Sequence, residues 1–166
     1  SAIFDDPKKA KFIPLDASER FKELQNRKVD ILSRNSTWSM SRELAYDLYF
    51  PAVAYYDGQG FMLPRSRNID SALDLNGSKV CVQTGTTTET NLADFFAANN
   101  MRYTAVATAT PAETVSAYAD GRCTVATSDV SQLYALRQQL PLPGEQLILS
   151  DVISKEPLGP AVAQSD

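Results

Sequence analysis

Three stretches of this chain combine hydroxyls, glycine and charge in positions that can hold a small charged molecule. The first is Val82-Gln83-Thr84-Gly85-Thr86-Thr87-Thr88-Glu89. It reads as a strand running into a turn and then a helix, where unpaired backbone N–H groups and threonine hydroxyls can meet an anion. A nucleotide triphosphate fits poorly, because the Gly-Lys-Ser/Thr of a phosphate-cradling loop is absent. A substrate carboxylate fits, and so does a helix merely capped by Thr86 or Thr88. The second is Ser36-Thr37-Trp38-Ser39-Met40-Ser41-Arg42. Its arginine can grip a carboxylate with two parallel hydrogen bonds, or pair with Glu43 or Asp47 on the surface. The third is Ala126-Thr127-Ser128-Asp129. Its carboxylate can bind an ammonium, or cap the helix that follows. Brought together, the three stretches match the carboxylate and ammonium of an α-amino acid. Either charge buried without a partner costs several kcal/mol, so a zwitterion needs both ends answered.

Composition narrows the chemistry further. The 166 residues include no histidine, which removes the commonest general base and the commonest metal ligand. Two cysteines, Cys81 and Cys123, cannot close a metal site without other ligands. Neither a metal nor a cofactor is expected. Sixteen Lys and Arg against 20 Asp and Glu leave a net charge of −4, which argues against a nucleic-acid binder. Hydrophobic residues make up 43%, enough for a core. No apolar run approaches the roughly 20 residues that span a bilayer. Ser1-Ala2-Ile3-Phe4 shows no leader pattern.

The elements that must position these residues follow from local signals. Lys11–Leu15 and Val29–Leu32 read as short strands, with a helix between them that starts at Asp16-Ala17-Ser18-Glu19 and turns Phe21 and Leu24 inward. Residues 53–63 hold Gly58 and Gly60, and read as an extended connection with bends rather than a central strand. From Lys79 the order is strand (Lys79–Gln83), helix (Glu89–Asn99), strand (Tyr103–Ala107), helix from Thr110-Pro111-Ala112-Glu113, strand (Cys123–Thr127), then a helix begun by Asp129. Alternation of this kind predicts a parallel sheet with helices on both faces. Ligands of such sheets lie beyond the strands' carboxyl ends, where all three stretches fall. Cys81 and Cys123 sit on strands that doubly wound sheets often place side by side. They form either a disulfide or two buried thiols.

With these residues in place, the chain resembles the periplasmic amino-acid-binding proteins of ABC transporters, in their general L-amino-acid branch. Five segments carry the resemblance in order: Val29 to Arg42, Tyr55 to Met62, Val80 to Asn91, Gly121 to Asp129, and Val152 to Pro160. The resemblance implies an α/β periplasmic-binding-protein-like fold with one complete doubly wound lobe and a partial second lobe. It places the partial first lobe at 1–57, a hinge crossing at 58–63, the second lobe at 64–158 and the start of a second crossing at 159–166. It implies that Arg42 clamps the α-carboxylate beside Thr37, with Thr86 and Thr87 as donors from the other lobe. Asp129 takes the ammonium, helped by the backbone carbonyl of Asn35. Arg34 and Gln59 reach the ligand side chain. The implied partners are an L-amino acid and a membrane permease, in an oxidising periplasm that suits the disulfide. Measured against the family, the first strand–helix unit and the long return into lobe one are missing. That implies a fragment whose open sheet edge can pair with a second copy. Two other readings are a fragment that oligomerises without binding, and a lyase or dehydratase on the same fold. No acid or base stands out for the latter.

Overall fold

The computed structural model describes residues 5–164. Residues 1–4 and 165–166, the ends of the first and last expected segments, lie outside the described residues. The small lobe holds helix α1 (Arg20–Gln25), helix α2 (Met40–Tyr46) and strand β1 (Leu48–Tyr49). Next come β2 (Tyr55–Pro64), β3 (Ser78–Gln83), α3 (Thr87–Ala98), β4 (Tyr103–Thr108), α4 (Pro111–Ala119), β5 (Val125–Asp129), α5 (Val130–Arg137), β6 (Gln146–Ile148), β7 (Ser154–Leu158) and β8 (Val162–Ala163).

Six strands make one sheet in the order β4-β3-β5-β2-β6, with β7 also paired to β2. The β3–β4 and β3–β5 pairs are parallel, as the alternating order requires. The sheet as a whole is mixed, because β2 runs antiparallel to β5, β6 and β7. Expecting a parallel sheet throughout overlooked β2. The glycines there mark crowding, not bends. A Cβ on Gly60 would come within 2.9 Å of a Val130 methyl, and one on Gly58 would collide with the Val152 side chain. With no side chain at either position, β2 runs as a central strand beneath its neighbours.

Side-chain alternation divides the core between the two faces of the sheet. Phe61, Leu63, Val80 and Val82 pack with Leu92 and Phe96 of α3. Met62 and Cys81 pack on the other face with Ala117 of α4 and Leu133 and Leu136 of α5. Each fully buried Leu or Phe contributes about 1.5–3 kcal/mol. Helix α4 starts as its residues predict. Thr110 Oγ1 accepts from Glu113 N at 3.1 Å, and Glu113 Oε2 accepts from Ala109 N at 2.8 Å.

Two strand expectations in the small lobe fail. Lys11–Leu15 forms no strand, and Phe12 stands 89% exposed. Val29–Leu32 contributes a single bridge, Leu32 to Ala161. Among the described residues neither segment has a longer strand beside it, and an unpaired pattern is not a sheet. Helix α1 also begins later than expected. Asp16 accepts from Glu19 N and Arg20 N through its backbone carbonyl, and no side chain caps the helix. Phe21, Leu24, Leu32, Leu48, Phe50 and Ala161 form a third apolar cluster. Strand β8 pairs with β1, bringing the chain back to the small lobe.

Cys81 and Cys123 form a disulfide, with Cα atoms 5.6 Å apart and a sequence separation of 42. Closing a loop of that size contributes up to about 4 kcal/mol on the chain-entropy model. Urea unfolding with and without reductant will show a loss of about 2–4 kcal/mol on reduction. An unchanged midpoint would show that the bridge adds no stability.

Candidate functional site

The small lobe supplies cations. Ser39 starts α2, its hydroxyl accepting from Arg42 N at 3.3 Å, and this sets Arg42 on the first turn. The Arg42 side chain is buried. Its Nη1 donates to Thr37 O at 2.7 Å, and its guanidinium lies 4.8 Å from the Phe21 ring centroid. Phe21 is held in turn by Tyr46, ring to ring at 5.3 Å. Burial lowers the pKa of Arg42, while Glu156, Tyr46 and Asp129 raise it. Neither Glu43 nor Asp47 pairs with it.

Arg20 approaches the same Phe21 ring at 4.5 Å. It donates to Ala17 O, and its Nε has no partner. Burial, then the repulsion of Arg42 and Arg34, brings its pKa down to about 9. Arg34 donates to Leu15 O at 2.9 Å. Among the described residues no carboxylate comes within ion-pair distance of Arg20, Arg34 or Arg42.

The large lobe supplies the strand ends. Thr86 caps α3: Glu89 N donates to its hydroxyl at 3.3 Å, and that hydroxyl donates to Gln83 O at 2.6 Å. Glu89 Oε2 accepts from Gly85 N at 3.0 Å, one residue before the cap. The capping reading therefore holds for the Thr86 hydroxyl. Its backbone N–H and that of Thr87 remain at the positive end of the helix. Gly85 has φ +71, and a Cβ there would come within 2.8 Å of Ser18 Cα. Glycine thus lets the loop lie against the small lobe.

Asp129 occupies the N-cap position of α5 without capping it. Its carboxylate accepts instead from Asn35 Nδ2, across the cleft, at 3.2 Å. Asn35 Nδ2 also donates to Gln132 Oε1 at 2.8 Å. Asn35 thus faces Asp129 with its side chain. Burial raises the Asp129 pKa to about 6. Asp57 and Glu156 push the same way, while the Asn35 hydrogen bond and Arg42 pull it down.

Seven of the eight candidate residues border one small cavity of about 20 Å³: Arg34, Asn35, Thr37 and Arg42 on one side, Thr86, Thr87 and Asp129 on the other. Gln59 does not. Its amide is fully buried beneath the cleft, donating to Thr88 O and Thr127 Oγ1 at 3.0 Å each. A space of that size holds about one water. A larger molecule enters only if the lobes part, breaking the Asn35–Asp129 and Asn35–Gln132 hydrogen bonds.

Two residues were not anticipated. Arg20 borders the cavity; nothing in its local sequence sets it apart from other helical charges. Glu156, on β7, is 2% exposed. Its carboxylate accepts from Thr37 Oγ1 at 2.5 Å, Thr87 Oγ1 at 2.9 Å, Asn91 Nδ2 at 2.8 Å and Ser154 Oγ at 2.5 Å. It therefore ties both lobes to the strand between them and takes the hydroxyl protons of both threonines. One signal was available: with Leu158 it falls on the inward phase of a strand, where a charge needs partners. Among the described residues no group of three or more His, Cys, Asp or Glu could hold a metal ion. No helix of the described residues is long and apolar enough to cross a membrane.

Comparison with known proteins follows the same lines. Over its full length the chain is 52% identical to the general L-amino acid-binding periplasmic protein AapJ of Rhizobium johnstonii. It is 51% identical to the glutamate/glutamine/aspartate/asparagine-binding protein BztA of Rhodobacter capsulatus, and 49% identical to the putative amino-acid ABC transporter-binding protein YhdW of Escherichia coli. It spans 49% of the length of each of these relatives. It superposes on an ABC transporter periplasmic binding protein from Brucella ovis with glutathione bound, with TM-score 0.93 and 49% identity, covering 98% of this chain and 51% of that one. An ancestral arginine-binding protein bound to arginine shares the fold at TM-score 0.82 and 24% identity, covering 94% of this chain and 67% of that one. A scan against models of protein families finds no match.

Proposed function

We propose that the chain belongs to the periplasmic amino-acid-binding proteins of ABC transporters and that its cleft holds the backbone of an L-amino acid for delivery to a membrane permease. One observation carries the proposal. Arg42 and Asp129 border the same cavity from opposite lobes, and among the described residues neither has an ion-pair partner. A zwitterion answers both charges at once. Arg42 and the N–H groups at the start of α3 take the α-carboxylate, while Asp129 takes the ammonium in place of the Asn35 amide. Thr37 and Thr87 are held by Glu156, which fixes the walls on either side.

The lobes divide at 1–57 and 64–158, with residues 58–63 as the first crossing and 159–166 as the start of the second. The working compartment is the periplasm, and binding proceeds without turnover. Self-association through the open edges of β1 and β8 belongs to the same reading.

Thermal melting against a panel of L-amino acids tests the proposal. A ligand at a hundredfold excess over its Kd adds about 2.7 kcal/mol. In a chain of this size that raises the melting temperature by about 5–10 °C. A panel that produces no shift in a folded chain would overturn the proposal.

A further inference from the structure

Asp129 stands where an aspartate ordinarily folds back on its own helix. It is the N-cap residue of α5, and a carboxylate there usually accepts from the backbone N–H two or three residues on. Asp129 does not. Its carboxylate is turned across the cleft to Asn35 Nδ2. The N–H it leaves is that of Ser131, and Asp57 takes it. Ser131 N donates to Asp57 Oδ1 at 3.4 Å and to Oδ2 at 3.3 Å, at a sequence separation of 74. The β2–β5 register explains the meeting. Gln59 is opposite Asp129, and continuing that antiparallel count past the end of β5 sets Asp57 beside Ser131. Gly58 N donates to Asp57 Oδ1 at 2.9 Å, which holds the half-buried carboxylate in place. On its other side Asp57 is opposite Glu156 of β7.

Building on the amino-acid reading, we propose that Asp57 is a positioning residue for the ammonium site: by capping α5 from β2 it holds Asp129 off its own helix and leaves that carboxylate to the ligand. Without Asp57, Ser131 N is a bare donor at the positive end of α5, two residues from a carboxylate in the N-cap place. Rotation of the Asp129 side chain then satisfies the donor and withdraws the acceptor from the cleft. Apparent affinity falls with the fraction of chains that remain poised. A second consequence concerns charge. Asp129 is faced by Asp57 from β2, Glu156 from β7, Arg42 from α2, Arg20 from α1 and the Asn35 amide. Burial is the first cause of its raised pKa, and repulsion from Asp57 adds to it. Neutralising Asp57 while keeping the cap therefore lets Asp129 stay ionised to lower pH.

Calorimetric titration with an L-amino acid that the unmutated chain binds, repeated from about pH 4.5 to about 7.5, decides it with two variants. Asp57→Ala weakens binding at the upper end of that range by about tenfold, the equilibrium weight of one helix cap. Asp57→Asn, whose side-chain oxygen still accepts from Ser131 N, restores affinity to within about threefold. It also moves the acid limb of the binding profile down by about half a pH unit. A cap that only stabilised α5 would lower the melting temperature and leave both readouts where they were. If Asp57→Ala does not fold, the acid limb in Asp57→Asn gives the answer. An Asp57→Ala chain that binds as tightly as the unmutated one overturns this inference alone. So does an acid limb that stays in place in Asp57→Asn. A folded unmutated chain that binds no L-amino acid overturns the amino-acid reading and this inference with it.

Discussion

Arg42→Met weakens the binding of every L-amino acid by at least about 30-fold while leaving the unliganded melting temperature within about 4 °C. The loss of affinity follows from the place of Arg42. It is buried, has no acidic partner within ion-pair distance among the described residues, and donates to Thr37 O with one nitrogen only. Its remaining N–H groups are the charged donors proposed for the α-carboxylate. Removing one member of a desolvated, hydrogen-bonded charge pair costs about 2–5 kcal/mol in binding. Stability responds differently. The unliganded fold carries the cost of burying this cation, and burial lowers its pKa for that reason. Methionine removes that cost and keeps a flexible apolar stem against Phe21, so the lost cation–π contact, about 0.5–2 kcal/mol, is largely offset. Calorimetry and melting on the same preparation check both halves. A variant that binds normally would show that the carboxylate lies elsewhere.

Lowering the pH below about 6 weakens binding about tenfold per unit, and Asp129→Asn removes that slope together with at least about 100-fold in affinity. Burial is the first cause of the raised Asp129 pKa, which stands at about 6 against the ordinary 3.8. A folded-state value above the unfolded one means that the folded chain retains a proton which the unfolded chain has released between about pH 4 and 6. Unliganded stability therefore falls as pH rises through that window, by roughly 3 kcal/mol in total, and levels off above it. Binding has the opposite slope, because the ammonium needs the carboxylate form. Affinity rises with pH up to about 6 and is flat beyond. Near pH 6, binding expels a proton, so the calorimetric heat depends on the ionisation enthalpy of the buffer. Affinity that is independent of pH from 4.5 to 7 would place the ammonium away from Asp129.

Asp129 ends β5 beside Thr127 and Ser128, the setting that marks a ligand position in an open α/β sheet. Arg42 follows no strand, and the hydroxyl residues between Ser36 and Ser41 were what drew notice to it. The large lobe was legible because its signals are local. Thr110, Pro111 and Glu113 specify the start of α4 within four residues. The small lobe was not, since Lys11–Leu15 and Val29–Leu32 have strand-like patterns but lack neighbours to pair with. Gly58 and Gly60 misled because a glycine that avoids a clash and a glycine that makes a bend look alike in one dimension. Gln59 is adjacent in sequence to both glycines yet points into packing between α3 and β5. Arg20 and Glu156 were missed for a third reason. Their burial exists only because Phe21 and Arg42 in one case, and Thr37, Thr87, Asn91 and Ser154 in the other, converge from distant parts of the chain.

The central claim is that both charges of an amino-acid backbone are recognised in one cleft. The measurement that bears on it most directly is titration calorimetry with a panel of L-amino acids, followed by the N-acetyl and α-amide forms of those that bind. The account predicts heat from the free amino acids and at least about 100-fold weaker binding when either charge is masked. A folded chain that gives no heat with any amino acid, or that binds the masked forms as well as the free ones, would contradict it.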